Sequence, residues 1–317
     1  MKYKGFGLGC GSISSANETL ELESTAIIQS AFKHDVTMLN TADFYGAGDS
    51  ELGIGHALKK SGLLEGSNRD KVYISLKFGM LTAPNGMFYG MDVHPKRVKN
   101  YLTHSLKRLK VDYIDLYQPA RIDPLIPVEE TIGAIVDLVK EGYVRDIGLS
   151  QVDSETLRKA HGVHPISYVE MEYSLFNRKM EQEVLPTARE LGIGTVAFGI
   201  LAHGLMGGKW TKERVDRGEL PRSQWIELFQ RGNIEKNIIL VERLLGIAKE
   251  KQVSLPELIY SWAMSKGQDI IPLIGASKVS QFENSILAKD LILTTDDVAR
   301  IETAIPASEI AGKCYPQ

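Results

Sequence analysis

Eight short apolar runs alternate with longer amphipathic stretches, and that pattern predicts an α/β chain closed into a (β/α)8 barrel, the TIM barrel. Two further observations support it. The runs are regularly spaced, and no low-complexity or Pro/Gly/Ser-rich segment divides the chain. A length of 317 residues suits one large barrel or two ordinary domains. The expectation is therefore a single barrel domain over residues 1–317. An open doubly wound sheet is the competing arrangement, and the strand count and spacing favour the barrel.

The predicted strands are residues 6–9, 37–40, 73–77, 113–117, 146–149, 169–172, 195–198 and 270–274. Each is a run of four or five residues rich in β-branched or aromatic types. Helical periodicity fills the intervals. Residues 23–34 set Ala26, Ile27, Ala31 and Phe32 on one face, and residues 97–109 space Val98, Leu102, Leu106 and Leu109 alike. Residues 128–140, 154–160, 181–191, 234–251 and 255–266 follow the same pattern. Asp153 or Ser154 can cap one helix. Ser254 can cap another, with Pro256 in its first turn. Residues 210–232, long, charged and carrying Pro221, form an inserted loop.

Composition narrows the function classes. Hydrophobic residues at 43% supply a large core, and 37 basic against 40 acidic residues leave a net charge of −3. No basic excess points to nucleic acid. No stretch approaches the ~20 apolar residues of a membrane span. Cys10 and Cys314 give no disulfide framework, and the first residues lack the apolar run of a signal peptide, so a cytoplasmic protein with reduced thiols is expected.

The cluster Gly7-Leu8-Gly9-Cys10-Gly11 looks like a dinucleotide-binding glycine loop but has Ser12 where the last glycine belongs, and no convincing helix follows. A glycine-rich turn after the first strand is the better reading. Chemistry in a barrel belongs at the C-terminal strand ends. The second strand runs into Asn40-Thr41-Ala42-Asp43-Phe44-Tyr45-Gly46, the third ends at Lys77, and the fourth runs into Gln118-Pro119-Ala120-Arg121. A lysine closing an apolar strand needs a partner. Beside Tyr45 it would favour the phenolate, and the tyrosine could then deliver a proton to a carbonyl oxygen. Alternatively Lys77 is a structural ion-pair partner of Asp43, and Tyr45 a loop aromatic.

Residues 40–55, the strand Tyr73-Ile74-Ser75-Leu76-Lys77, and residues 105–118, 142–150, 172–178 and 271–278 together resemble the aldo-keto reductases, in order along essentially the whole chain. The resemblance implies a barrel that reduces aldehydes and ketones, or oxidises the alcohols, with NADPH and without a metal. It places Tyr45 and Lys77 at two of four catalytic positions. The other two differ: Asn40 stands where the family has Asp, and Ala120 where it has His. Asn40 accepts a hydrogen bond but brings no charge, so Lys77 is expected to titrate lower through desolvation. Ala120 leaves a gap beside the substrate carbonyl. His203 and His94 are read as loop histidines rather than replacements.

The same resemblance implies the cofactor contacts. Ser150, Gln151 and Glu170 would meet the nicotinamide carboxamide, and Phe198 would stack on its ring. The run from Gly199 through Leu201 to Lys209 would follow the pyrophosphate. Ser277 and Lys278, with Gln281 beside them, would hold the 2′-phosphate, and Glu283 and Asn284 the adenine. Gln281 replaces a frequent second cation, yet Lys278 still favours NADPH. Two functions compete: an NADPH-dependent reductase of small-molecule carbonyls, and an NADP(H)-binding barrel of weak or no turnover serving as a sensor or partner subunit. Tyr45 and Lys77 favour the first; Asn40 and Ala120 favour the second.

Overall fold

The computed structural model describes residues 3–221 and 225–314. Eight parallel strands close on themselves: β1 (Gly7–Gly9), β2 (Met38–Ala42), β3 (Tyr73–Phe78), β6 (Ile114–Pro119), β7 (Val144–Ser150), β8 (Ile166–Glu172), β9 (Gly194–Phe198) and β10 (Ile270–Gly275). Neighbours follow chain order around the ring, and β1 pairs with both β2 and β10 to seal it. A two-stranded antiparallel hairpin, β4 (Met80–Thr82) and β5 (Phe88–Met91), stands apart from the barrel after β3. All eight predicted barrel strands are present, several longer than expected. β2 in particular continues through Ala42, so Asn40 lies inside a strand rather than at its end.

The outer layer includes α1 (Glu18–Lys33), α2 (Asp49–Lys60), α3 (Pro95–Leu109), α4 (Val128–Lys140), α5 (Ser154–Val163) and α6 (Val184–Glu190). It continues with α7 (Lys212–Asp216), α8 (Ile234–Glu250), α9 (Leu255–Ser265), α10 (Val279–Ile286) and α11 (Thr295–Ala304). Asp153 caps α5 by accepting from the Thr156 N–H, and Ser254 forms a reciprocal capping box with Glu257 at α9. His94 caps α3 ahead of Pro95. Short helical turns occupy part of the predicted loop 210–232, whose residues 222–224 lie outside those described.

Strand side chains alternate between the barrel interior and the helical layer. The interior set begins with an apolar floor of Met38, Leu116, Tyr168, Val196, Ile271 and Leu273. Two residues further along the same strands come Asn40 after Met38, Gln118 after Leu116, Glu170 after Tyr168 and Phe198 after Val196. The period of two thus carries three polar groups, Asn40, Gln118 and Glu170, to one level above the floor, with Phe198 beside them. Gly7 lies in β1, within the predicted first strand. A Cβ there would sit 2.6 Å from Leu273 Cδ2 and 3.1 Å from Met38 Sδ, so the missing side chain lets the floor pack. Cys10 and Cys314 are free and buried, and burial pushes the Cys10 thiol up to about 12. Among the described residues, no helix is long and apolar enough to cross a membrane.

Candidate active site

Tyr45 opens the segment that leaves β2. It begins a tight turn, Tyr45–Gly48, in which Gly46 and Ala47 take left-handed φ values of 59° and 53°. The turn is anchored by the first residue of α2. Asp49 accepts from the Ser14 hydroxyl, and from the Ser15 N–H and hydroxyl at 2.9 Å each. These bonds tie the segment after β1 to the tyrosine's own turn. The Phe44 ring stands edge-on to Tyr45 at 5.0 Å and to Phe88 of the hairpin at 5.5 Å. An aromatic wall therefore rises beside the phenol.

Lys77 comes from β3, where its strand position points it inward, and it is 4% exposed. Its Nζ lies 5.3 Å from the Tyr45 ring centroid. It donates to Asn40 Oδ1 at 2.6 Å and pairs with Glu170 Oε1 at 3.0 Å. Asn40 Nδ2 donates in turn to Glu170 Oε2 at 2.7 Å and to Ser75 Oγ at 3.2 Å, and Gln118 Nε2 donates to the same Glu170 oxygen at 2.7 Å. Tyr45 and Lys77 are thus brought together as expected. Two expectations are corrected. Asp43 is not the lysine's partner: it meets Lys77 through the backbone, its N–H donating to the Lys77 carbonyl. Lys77 also does not titrate low. Burial pushes its ammonium down, but the charge of Glu170, helped by Tyr45, outweighs that and holds Lys77 above the ordinary lysine value.

Glu170 lies at the end of the barrel beside these groups. Both carboxylate oxygens face Lys77, Asn40 and Gln118 within the barrel. Neighbouring Ser150, at the end of β7, is buried, and its hydroxyl has no hydrogen-bond partner among the described residues. An orphaned hydroxyl at the barrel rim suits a polar ligand group such as a carboxamide. Gln151 Oε1 accepts from the Glu172 N–H at 2.8 Å, which fixes its orientation. Phe198 ends β9 and is half-buried against the floor. Gly199 and Leu201 lead into a turn, Ala202–Gly204, and Lys209 lies beyond it. His203 is not simply solvated: its Nε2 is 2.7 Å from Glu172 Oε1, and Asn177 Nδ2 donates to Glu172 Oε2 at 2.9 Å.

At the end of β10, Ser277 and Lys278 precede α10, whose N-terminus presents free backbone N–H groups suited to a phosphate. Lys278 is exposed there, and Gln281 Oε1 accepts from the Ser277 N–H and hydroxyl at 2.9 and 3.1 Å. Glu283 accepts from Ser30 of α1 at 3.2 Å, and Asn284 is exposed beside it. Ala120, just past β6, is buried and offers no polar side chain. Sequence reasoning missed Ser75, Gln118 and Glu172 as members of this site. The available signal was a polar residue at an inward position of strands β3, β6 and β8.

The profile of the Aldo/keto reductase family matches residues 6–306. The chain belongs to the aldo-keto reductases. It is 38% identical over 313 residues to probable aldo-keto reductase 1 of Glycine max, covering 98% of this chain and 87% of that protein. Its fold is shared with the glycerol dehydrogenase of Gluconobacter oxydans, with a TM-score of 0.84 and 24% identity over 98% of this chain and 94% of the other. An aldo-keto reductase of Bacillus halodurans, in its holo form, superposes with a TM-score of 0.73 and 24% identity over 95% and 92%. At that identity the two structures speak for the fold alone. As an aldo-keto reductase, the protein is an oxidoreductase that uses a nicotinamide cofactor on small-molecule carbonyl or alcohol groups. The orphaned Ser150 hydroxyl and the α10 N-terminus fit such a cofactor.

Proposed function

We propose that this aldo-keto reductase uses NADPH to reduce an aldehyde or ketone, with Tyr45 as the general acid and Lys77 as its electrostatic support. The observation that carries the reading is the buried Lys77 ammonium, held charged, 5.3 Å from the Tyr45 ring centroid. A reduced nicotinamide, when bound, supplies hydride for the carbonyl carbon. Tyr45 Oη gives its proton to the carbonyl oxygen, and the fixed positive charge of Lys77 stabilises the phenolate left behind. Asn40 keeps the ammonium in place through its 2.6 Å bond. Ser150 and Gln151 would hold the carboxamide, and Phe198 would flank the ring. The segment of Gly199, Leu201 and Lys209 would follow the pyrophosphate. Ser277, Lys278 and Gln281 would take the 2′-phosphate, with Glu283 and Asn284 toward the adenine. Lys278 is the group that favours NADPH over NADH.

With Ala120 in place of a donor, orientation of the carbonyl oxygen rests chiefly on Tyr45. Loss of one such donor costs ~10²–10³ in rate, so a slow enzyme or one tuned to a bulkier carbonyl is expected. The test is NADPH oxidation over a panel of aldehydes and diketones, with Tyr45→Phe as the control. Turnover should fall by ~10²-fold or more in the variant while NADPH still binds. If no substrate turns over, or Tyr45→Phe loses nothing, the reductase reading fails and the cofactor-binding role takes its place.

A further inference from the structure

We propose that Glu170 is a positioning residue for the Tyr45–Lys77 pair, supplying from β8 the negative charge that Asn40 cannot supply from β2. The inference rests on reading Tyr45 and Lys77 as the acid pair, and it assigns Glu170 to the lysine rather than to the bound cofactor.

An ammonium that is 4% exposed needs a compensating charge. The carboxylate that meets it is Glu170, whose Oε1 lies 3.0 Å from Lys77 Nζ. Asn40 lies between the two. Its Oδ1 accepts from the ammonium at 2.6 Å, and its Nδ2 donates to Glu170 Oε2 at 2.7 Å. Only an amide can serve both neighbours at once, because a carboxylate has no proton to give the second oxygen. An aspartate at position 40 would face Glu170 with like charge, and one of the two would have to take up a proton. The residue types at 40 and 170 are therefore complementary: one neutral amide, one carboxylate, one ammonium. Gln118 Nε2 adds a second amide donor to Glu170 Oε2 at 2.7 Å, which turns that oxygen inward as well. Ser75 takes the remaining Asn40 proton at 3.2 Å. Both Glu170 oxygens thus have partners within the barrel, Lys77 on Oε1 and the two amides on Oε2.

The consequence for the reaction is positional. Glu170 touches neither the phenol nor a substrate. It holds Lys77 charged and still beside the Tyr45 ring. Without Glu170, the largest influence opposing burial at Lys77 would be gone, and the lysine would lose its proton at lower pH.

The experiment compares wild type, Glu170→Gln, Asn40→Asp and the exchange Asn40→Asp/Glu170→Gln, which restores one carboxylate beside one amide. Three quantities are measured: thermal unfolding of the protein without cofactor, the NADPH dissociation constant by fluorescence, and the pH profile of kcat. Glu170→Gln should lower Tm on the order of 10 °C, since it strands a buried charge. It should move the alkaline limb of kcat down by about one pH unit or more, while the NADPH dissociation constant stays put. The exchange should recover most of the lost Tm and return the limb toward wild type. If Glu170→Gln leaves Tm and the limb in place but weakens NADPH binding by ~10-fold or more, Glu170 is a cofactor contact and the proposal is overturned. An exchange variant no better than Glu170→Gln overturns it too. Should Glu170→Gln fail to fold, recovery of a folded protein by the exchange supports the proposal, and failure of both counts against it. Unfolding and cofactor binding need no substrate. A protein that turns over nothing would therefore remove the reductase reading and leave this one decided on its own readouts.

Discussion

Asp43 occupies a costly place two residues before Tyr45. Its Oδ1 is buried without a hydrogen-bond partner among the described residues. Burial raises its carboxyl, the buried Glu51 beside it raises it further, and Arg108 and the N–H groups of Gly79 and Phe44 only partly oppose this. The outcome is a carboxyl pushed up to about 7. The ordinary value is 3.8, so between those two pH values the folded chain keeps a proton that the unfolded chain has lost. Stability attributable to Asp43 is thus complete at low pH and is lost as pH rises, at up to about 1.4 kcal/mol per pH unit. Across the window this amounts to about 4 kcal/mol, withheld from the folded state at neutral pH. Asp43→Asn keeps the shape and removes the ionisation. Urea unfolding of both proteins from pH 4 to pH 8.5 measures the difference. The two should be close at pH 4, with the Asn variant gaining steadily to a few kcal/mol near pH 7.5. A gap that does not change with pH, or one that widens in favour of the wild type, would refute the account of Asp43 as a half-buried acid that keeps its proton.

Two other outcomes follow from local geometry. Lys278→Ala should raise the KM for NADPH by ~10–100-fold, the worth of a hydrogen bond to a charged group, and leave the KM for NADH nearly unchanged; steady-state kinetics with both cofactors decides it. Gly55→Ala should destabilise the protein by roughly 1–3 kcal/mol in denaturant unfolding, because its Cβ would lie 2.7 and 2.9 Å from the carbonyl oxygens of Arg108 and Leu109, backbone that can yield only by moving α3 off α2.

The barrel was legible because its eight strands are short, apolar and separated by amphipathic stretches, and because their inward positions repeat every second residue. Helix α2 was not legible. Its sequence carries Gly53 and Gly55, which lower helix propensity, and those glycines are there for the close contact with α3 and with the segment after β1. The hairpin of β4 and β5 was missed for a different reason: β5 is exposed along its length, so no inside-outside alternation marks it. Tyr45 and Lys77 stood out as polar residues at strand ends. Asn40 was recognised, but its surroundings were not, since its partner Glu170 lies 130 residues away and reaches it only when the barrel closes. The direction of the Lys77 titration was misjudged for the same reason. A charge budget drawn along one strand cannot include a carboxylate delivered by a strand across the ring.

The amide between Lys77 and Glu170 also constrains how this chain can vary. Positions 40 and 170 hold one negative charge between them. Changing either alone leaves the ammonium with two carboxylates or with none, and both conditions are penalised in a dry interior. A lineage moving the charge from one strand to the other would cross a weakened intermediate, so the two positions are expected to drift as a linked pair while the Tyr45 and Lys77 positions stay fixed.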